Sequence, residues 1–380
     1  MKIAIIVHQL VVSGGTERQA IMLARELILR GHQATLYTFS YNASTCYPEL
    51  LRGMAVVTAP KVHLLARAIA PDTDLLNPHE QAPLKVAAYF RRNIRRIPSV
   101  LMINDLYIAQ WSLMREYSGK HFSPMRRAVQ WCKDQYAKKR FFVGGADAVA
   151  VLNRGTQEKI AHYLGLESTV VRSGLDVSRF PFYARTLPQG RIVHILCHAL
   201  FYRHRRFEDA IEALARLIRD GFDVDLTISG SYTHKKDARI YYQELQHKAT
   251  ELEISDRVVF VGAANEAGLV ERYRNADIFL FPSHLQTWGL AVFEAMASGL
   301  PVVVSQSAGA SEVLTDKSNA LLSHPCSAES IANCLAALLR DRALYARLSN
   351  DGRAFVEREI SWEKYTDAML ALYRHAIKKS

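Results

Sequence analysis

Between Phe281 and Val304 the chain reads Phe-Pro-Ser-His-Leu-Gln-Thr-Trp-Gly-Leu-Ala-Val-Phe-Glu-Ala-Met-Ala-Ser-Gly-Leu-Pro-Val-Val-Val, a run whose one carboxylate is Glu294. A short helix is expected from Leu290 to Ser298, opened by Gly289. The N–H groups at such a helix start lack intrahelical acceptors, and the helix dipole adds partial positive charge, so an anion suits that place. The flanking segments fix where the helix start lies. Ala276-Asp-Ile-Phe-Leu-Phe281 reads as a buried strand ended by Pro282, and Pro301-Val-Val-Val304 as the next parallel strand. The turn between them then sits beyond a strand's carboxyl end, where open α/β sheets bind ligands. Phosphate chemistry is the reading these residues support.

The segment resembles the donor-site signature of glycosyltransferase family 4, the retaining nucleotide-sugar enzymes with a GT-B fold. The family's usual form is Pro-Ser, a first glutamate, a second glutamate on the helix, then Ala-Met-Ala-x-Gly-x-Pro-Val-Val. Here the second glutamate is Glu294, and Gln286 stands in place of the first. The resemblance implies that Glu294 holds the ribose hydroxyls, that Gly289 and Leu290 present N–H groups to phosphate, and that Gln286 faces the transferred sugar. An amide in place of a carboxylate bears on donor choice more than on donor binding.

Other segments carry the resemblance along most of the chain. Lys2-Ile-Ala-Ile-Ile-Val7 reads as a buried strand, followed by Ser13-Gly-Gly-Thr-Glu-Arg18 and a helix ending at Gly31. Thr16 is its expected N-cap, with Ala20, Leu23, Ala24, Leu27 and Ile28 on one face. Gly14 and Gly15 alone suggest a tight turn; beside the later motif they suggest backbone approaching a donor. Val170 to Phe180 resembles the family's interdomain segment, and Ser361-Trp-Glu-Lys-Tyr365 the start of its last helix, with Ser361 as N-cap. Asp74 to Pro83 resembles the segment in which a strand delivers a histidine toward the cleft, which marks His79; a structural histidine is the alternative. The strand from Ser99 ends in Asn104-Asp105 where many relatives carry His-Asp. Asn104 can hydrogen-bond a sugar hydroxyl but cannot shuttle a proton.

The expected strand Ile192 to Cys197 and the amphipathic helix Phe207 to Asp220 flank His198-Ala-Leu-Phe-Tyr-Arg-His-Arg-Arg206. In the family this turn carries Gly-Arg-Leu and then Lys-Gly, whose cations hold the donor diphosphate. His198-Ala199 replaces Gly-Arg, so that arginine is missing. Arg205 aligns with the lysine if the loop is one residue longer. Arg203 or Arg206 could supply the missing charge, or these arginines could be merely solvated. Gly262 ends the strand near which the family places the nucleotide base. Asp223-Val-Asp225 matches a metal-binding D-x-D pattern but lies at a strand's start, the wrong end for a ligand. No metal and no cofactor is expected, because helix dipole, backbone N–H groups and arginine can together stabilise a leaving diphosphate.

At 380 residues the chain exceeds one ordinary core. Strands alternate with helical patterns throughout, which argues for two doubly wound parallel sheets. With the resemblance, the expected architecture is an α/β GT-B fold of two Rossmann-like domains facing a central cleft. Residues 1–180 would bind the acceptor and 181–360 the nucleotide sugar, with 361–380 a C-terminal helix packing back on the first domain. Five cysteines without C-x-x-C spacing point to a reducing cytoplasm, and no apolar run reaches the ~18 residues of a membrane span.

Charge is divided unevenly. Residues 1–175 hold 23 Lys and Arg against 12 Asp and Glu, a net of +11, and residues 176–380 hold 25 against 25. The excess gathers in Arg91-Arg92, Arg95-Arg96, Arg126-Arg127 and Lys138-Lys-Arg140, among aromatics that include Tyr89, Phe90, Trp111, Phe122, Trp131, Tyr136, Phe141 and Phe142. Basic and aromatic residues mixed on helices suit an anionic membrane surface; a solvated helix face is the alternative. Nothing else resembles a nucleic-acid module, so no nucleic-acid partner is expected.

The expected protein is a metal-independent, retaining, hexosyltransferase-like enzyme. It would move a sugar from a nucleoside-diphosphate sugar to a glycan or lipid-linked acceptor, in the cytoplasm and peripherally on the inner face of the membrane. Two alternatives stand beside it. A catalytically weak nucleotide-sugar-binding protein is suggested by the departures at Gln286, His198-Ala199 and Asn104. A GT-B nucleotide-sugar epimerase would need a richer set of acidic residues.

Overall fold

Short runs of aliphatic residues become parallel strands in both halves of the chain, in a computed structural model that describes residues 1–11, 14–104, 123–137, 145–233, 235–284 and 286–379. The strands belong to two units: Met1–Gly174 together with Trp362–Ser380, and Leu175–Ser361.

In the first unit, β1 (Lys2–Val7), β2 (Gln33–Thr38), β3 (Val56–Thr58) and β4 (Leu75–Pro78) form a parallel sheet in the order β3-β2-β1-β4. A second parallel sheet takes β5 (Val100–Ile103), β6 (Ala148–Val151) and β7 (Thr169–Val170) in the order β5-β6-β7. Single bridges, Leu76 to Ser99 and His79 to Met102, link β4 to the β5 edge. The helix Gln81–Asn93 serves both cores: Val86, Ala87 and Phe90 pack with Ile6 and Leu76, and Leu84 packs with Leu101 and Val151. The helix Trp362–Lys379 also belongs to this unit. It buries Tyr365, Met369 and Tyr373, and the Tyr373 hydroxyl donates to Asn77 Oδ1 at 2.8 Å.

The N-terminal helix differs from expectation at its start and on its buried face. It runs Gly15–Leu29 with Gly14 as the N-cap, so Thr16 lies inside the first turn and caps nothing. Glycine takes the cap's extended backbone unaided, and no side-chain bond closes this helix start. Ala20, Leu23, Ala24 and Leu27 are buried, but Ile28 in the last turn is 44% exposed.

The second unit is one parallel sheet of β8 (Val193–His198), β9 (Val224–Ser229), β10 (Val258–Val261), β11 (Ile278–Phe281), β12 (Val302–Ser305) and β13 (Leu321–Ser323). Its order is β10-β9-β8-β11-β12-β13. Every residue of β11 and β12 is buried, which is why they read as continuous apolar runs. The helix Phe207–Arg219 lays Ala210, Ile211, Ala213, Leu214 and Leu217 into the same core. Strand order reverses between β8 and β11. In a doubly wound sheet the crevice for a ligand opens at that switch point, beyond the carboxyl ends of those two strands. The loops leaving β8 and β11 are 199–206 and 282–289.

Candidate active site

The loop after β11 ends at Gly289, whose φ of +96° is left-handed, and a Cβ there would meet the Phe281 ring at 3.0 Å. Only glycine fits both constraints. The helix Leu290–Ala297 follows at once, so its first N–H groups face the switch point. Trp288 seals the turn beneath by packing on Phe293, ring centroids 4.9 Å apart.

Glu294 lies one turn into this helix and is buried to 7% exposure. Its Oε2 accepts the Tyr273 hydroxyl at 3.0 Å. Tyr273 comes from the helix Glu266–Asn275, which is pinned at both ends. The Asn265 side chain caps the start by accepting from Gly268 N–H at 2.9 Å. At the other end the Arg185 guanidinium donates to the carbonyls of Tyr273 (2.8 Å), Arg274 (3.1 Å) and Ala276 (2.5 Å). A rigid neighbour thus aims the carboxylate.

Gln286 is half-buried, and its carbonyl accepts Gly309 N–H at 2.7 Å. Its side-chain Oε1 accepts from Arg205, so the loops leaving β8 and β11 meet through this pair. The other two arginines of the first loop have carboxylate partners. Arg203 donates to Glu244 Oε1 at 2.5 Å and lies 5.6 Å from the Tyr241 ring centroid. Arg206 pairs with Asp209 (2.6 Å) and Glu208 (2.8 Å). Burial opposes the Arg206 charge, but Asp209 and Glu208 outweigh it and hold the guanidinium above its ordinary pKa. A phosphate would have to compete with those acids for Arg203 or Arg206.

His198 ends β8, and its Nδ1 bonds Ser229 Oγ at 2.9 Å at the end of β9. Burial, followed by the charges of Arg272 and Arg205, lowers its pKa to about 4 and keeps the ring neutral. Gly230 follows Ser229 at a φ of +150°, and a Cβ there would lie 1.9 Å from the Ala199 carbonyl oxygen. This close approach locks the turn after β9 onto the turn after β8. The Gly262 carbonyl, at the end of β10, accepts from Arg272 Nη1 at 2.7 Å. Sequence reading left out Arg272, Tyr273 and Ser229. The first two lie on a helix whose polar residues look solvated, and only the fold turns them over the strand ends. At the opposite edge, Asp223 pairs with Arg257 (2.6 Å) and Asp225 with His194 (2.8 Å).

In the first unit, Gly14 and Gly15 open the first helix, and the Gly14 carbonyl accepts the Tyr47 hydroxyl at 3.2 Å. His79 is fully buried, with Nε2 3.1 Å from Asn77 Oδ1 and no partner for Nδ1 among the described residues. Burial drives its pKa down to about 3. That is the environment of a neutral histidine within the β4 to β5 junction, and it fits the structural alternative. Asn104 is 7% exposed, and neither end of its amide has a partner among the described residues. Its backbone N–H donates to Glu80 Oε1 at 2.7 Å. Glu80 itself holds a φ of +76°, a strained geometry for a non-glycine residue. Trp111, Phe122, Lys138-Lys-Arg140, Phe141 and Phe142 lie outside the described residues.

Comparison with known proteins gives the family of the chain. Residues 13–179 match glycosyltransferase family 4, and residues 186–355 match glycosyl transferases group 1. The chain belongs to these glycosyltransferases. Glycogen synthase of Mycobacterium tuberculosis is 26% identical over 259 residues, which is 67% of this chain and 60% of that protein. The lipopolysaccharide core biosynthesis mannosyltransferase LpsB of Rhizobium meliloti is 25% identical over 298 residues, covering 76% of this chain and 79% of the relative. Among solved structures, Anabaena HepE in complex with UDP superposes with a TM-score of 0.77 at 20% identity, covering 99% of this chain and all of that one. The fold is GT-B, shared with such glycosyltransferases. Among the described residues no helix is long and apolar enough to cross a membrane, and no cluster of acidic, histidine or cysteine side chains has metal-site geometry.

Proposed function

We propose that this chain transfers a sugar, with retention and without a metal, from a nucleoside-diphosphate sugar bound by residues 175–361 to a glycan or lipid-linked acceptor bound by residues 1–174. The observation that carries the proposal is Glu294, buried one turn inside a helix that starts at the switch point and held there by Tyr273. In this reading the helix start takes the diphosphate, Glu294 accepts the ribose hydroxyls, and Gly262 marks the base. Arg205 serves twice, as a phosphate donor and as the group that orients Gln286 toward the sugar. Developing negative charge on the leaving diphosphate would be met by N–H groups and guanidinium already in place. No side chain is assigned as a nucleophile, so retention would come from attack on the face the diphosphate leaves, with its oxygen taking the acceptor's proton. On the acceptor side, the Asn104 amide, which has no partner among the described residues, suits a sugar hydroxyl, since buried amides normally find partners.

The second part of the proposal is peripheral binding in the cytoplasm, at an anionic membrane surface. The helix Pro124–Ala137 supports it. Met125, Val129, Cys132 and Tyr136 recur at helical spacing, and Met125, Trp131 and Tyr136 are each more than 60% exposed beside Arg126. An exposed apolar stripe among basic residues suits the headgroup boundary.

A thermal-shift panel of UDP, GDP, ADP and dTDP tests the donor site, because a ligand that binds only the native state raises its stability. One of the four should raise the transition, and turnover of its sugar conjugate should follow. No shift with any of them would remove the donor-site assignment. A shift without turnover would favour the weak-binding alternative.

A further inference from the structure

Arg272 occupies a place that its own helix does not account for. Its Nη1 donates to Ser229 Oγ and to the Gly262 carbonyl, so the guanidinium spans the carboxyl ends of β9 and β10. Through Ser229 it is one hydrogen bond from His198 at the end of β8. On its own helix Arg274 pairs with Glu271, and on the loop after β8 Arg203 pairs with Glu244 and Arg206 with Glu208 and Asp209. Among the described residues no carboxylate pairs with Arg272.

A half-buried cation without a counter-charge is costly to hold. Burial accordingly lowers the pKa of this guanidinium. His198 bonds the same Ser229 hydroxyl that Arg272 engages, and burial, followed by the charges of Arg272 and Arg205, keeps its ring neutral. The charges of two guanidinium groups therefore act on one neutral imidazole at the ligand end of the sheet, Arg272 reaching it through Ser229. The turn after β8 meanwhile has Ala199 where the family's diphosphate-binding arginine would stand.

We propose that Arg272 is a diphosphate-binding residue, supplying from the helix Glu266–Asn275 the guanidinium that the turn after β8 lacks. The ligand class is the pyrophosphate group of a nucleoside diphosphate. With Nη1 committed to Ser229 and Gly262, Nε and Nη2, which have no hydrogen-bond partner among the described residues, are the donors for phosphate oxygens. This assignment rests on the donor-site reading above and adds to it which residue replaces the missing arginine.

The test is titration calorimetry with the nucleoside diphosphate selected from UDP, GDP, ADP and dTDP, repeated with inorganic pyrophosphate as competitor. Arg272→Gln keeps a donor for Gly262 but loses the charge. It should weaken both ligands by about 10- to 100-fold, the range for losing charge-assisted hydrogen bonds. Arg272→Lys, which keeps the charge, should recover part of that loss, and it serves as the working variant if the glutamine protein does not fold. Three outcomes overturn the proposal: unchanged binding in Arg272→Gln, a loss for the nucleoside diphosphate with none for pyrophosphate, or a lysine variant as weak as the glutamine one. Wild-type protein that binds a nucleoside diphosphate but not pyrophosphate also overturns it while leaving the donor site standing. Wild-type protein that binds neither removes the donor site itself.

Discussion

Replacing Glu294 by alanine is the sharpest probe of the donor site. The carboxylate has two jobs in the proposed arrangement: it accepts the Tyr273 hydroxyl at 3.0 Å, and it offers its remaining lone pairs to ribose. Losing a hydrogen bond to a charged group costs about 1.5–3 kcal/mol. At about 1.4 kcal/mol per tenfold, nucleoside diphosphate should bind roughly 10- to 150-fold more weakly. The same change leaves the Tyr273 hydroxyl without this carboxylate partner, an effect of about 1–3 kcal/mol on the fold. Affinity must therefore be measured by calorimetry well below the thermal transition of each variant. Tyr273→Phe separates the two effects. It keeps the carboxylate but removes the group that aims it, so it should cost about 0.5–1.5 kcal/mol in nucleotide binding, less than the alanine variant. If folded Glu294→Ala binds the nucleoside diphosphate within about twofold of wild type, the ribose assignment is refuted. A Tyr273→Phe loss larger than that of Glu294→Ala would refute the orienting role.

Gln286→Ala should leave nucleoside-diphosphate affinity nearly unchanged and reduce transfer, because its proposed contact is with the sugar; abolished nucleotide binding in a folded variant would contradict it. Vesicle sedimentation should show stronger binding to anionic than to neutral liposomes, weakening with salt, and Trp131→Glu should reduce it; equal binding to both liposomes rejects the membrane proposal. His79 gives a pH dependence. Its folded pKa is about 3 and an unfolded imidazole titrates near ~6.5, so between those values the unfolded chain binds the extra proton and stability falls as pH falls, by up to about 1.4 kcal/mol per pH unit. Urea midpoints between pH 7 and 5 should drop in wild type and drop less in His79→Gln; identical slopes would show that His79 does not contribute.

Particular residues mark the boundary between what the sequence determines and what it leaves to the fold. The run from Ala276 to Val304 fixes its own local structure. Apolar strands buried on both faces have no other stable setting, and Gly289 must take a backbone that other residues avoid. Glu294 and Gln286 are legible for that reason, since their positions follow from chain-local geometry. The arginines are not. Arg203, Arg205 and Arg206 look interchangeable in sequence, yet Glu244 and the acids at 208 and 209 engage two of them, and only the folded loop brings Arg205 to Gln286. Arg272 and Tyr273 are more hidden still. Long polar side chains are uncommitted until a neighbouring element supplies a partner, and those partners lie at the ends of other strands or on another helix. His79 looks chemically able in sequence and is fully buried in the fold, because solvent exposure depends on which elements pack over a residue. Sequence periodicity fixes the sheets and the turn at their switch point; tertiary packing decides which charges remain for a ligand.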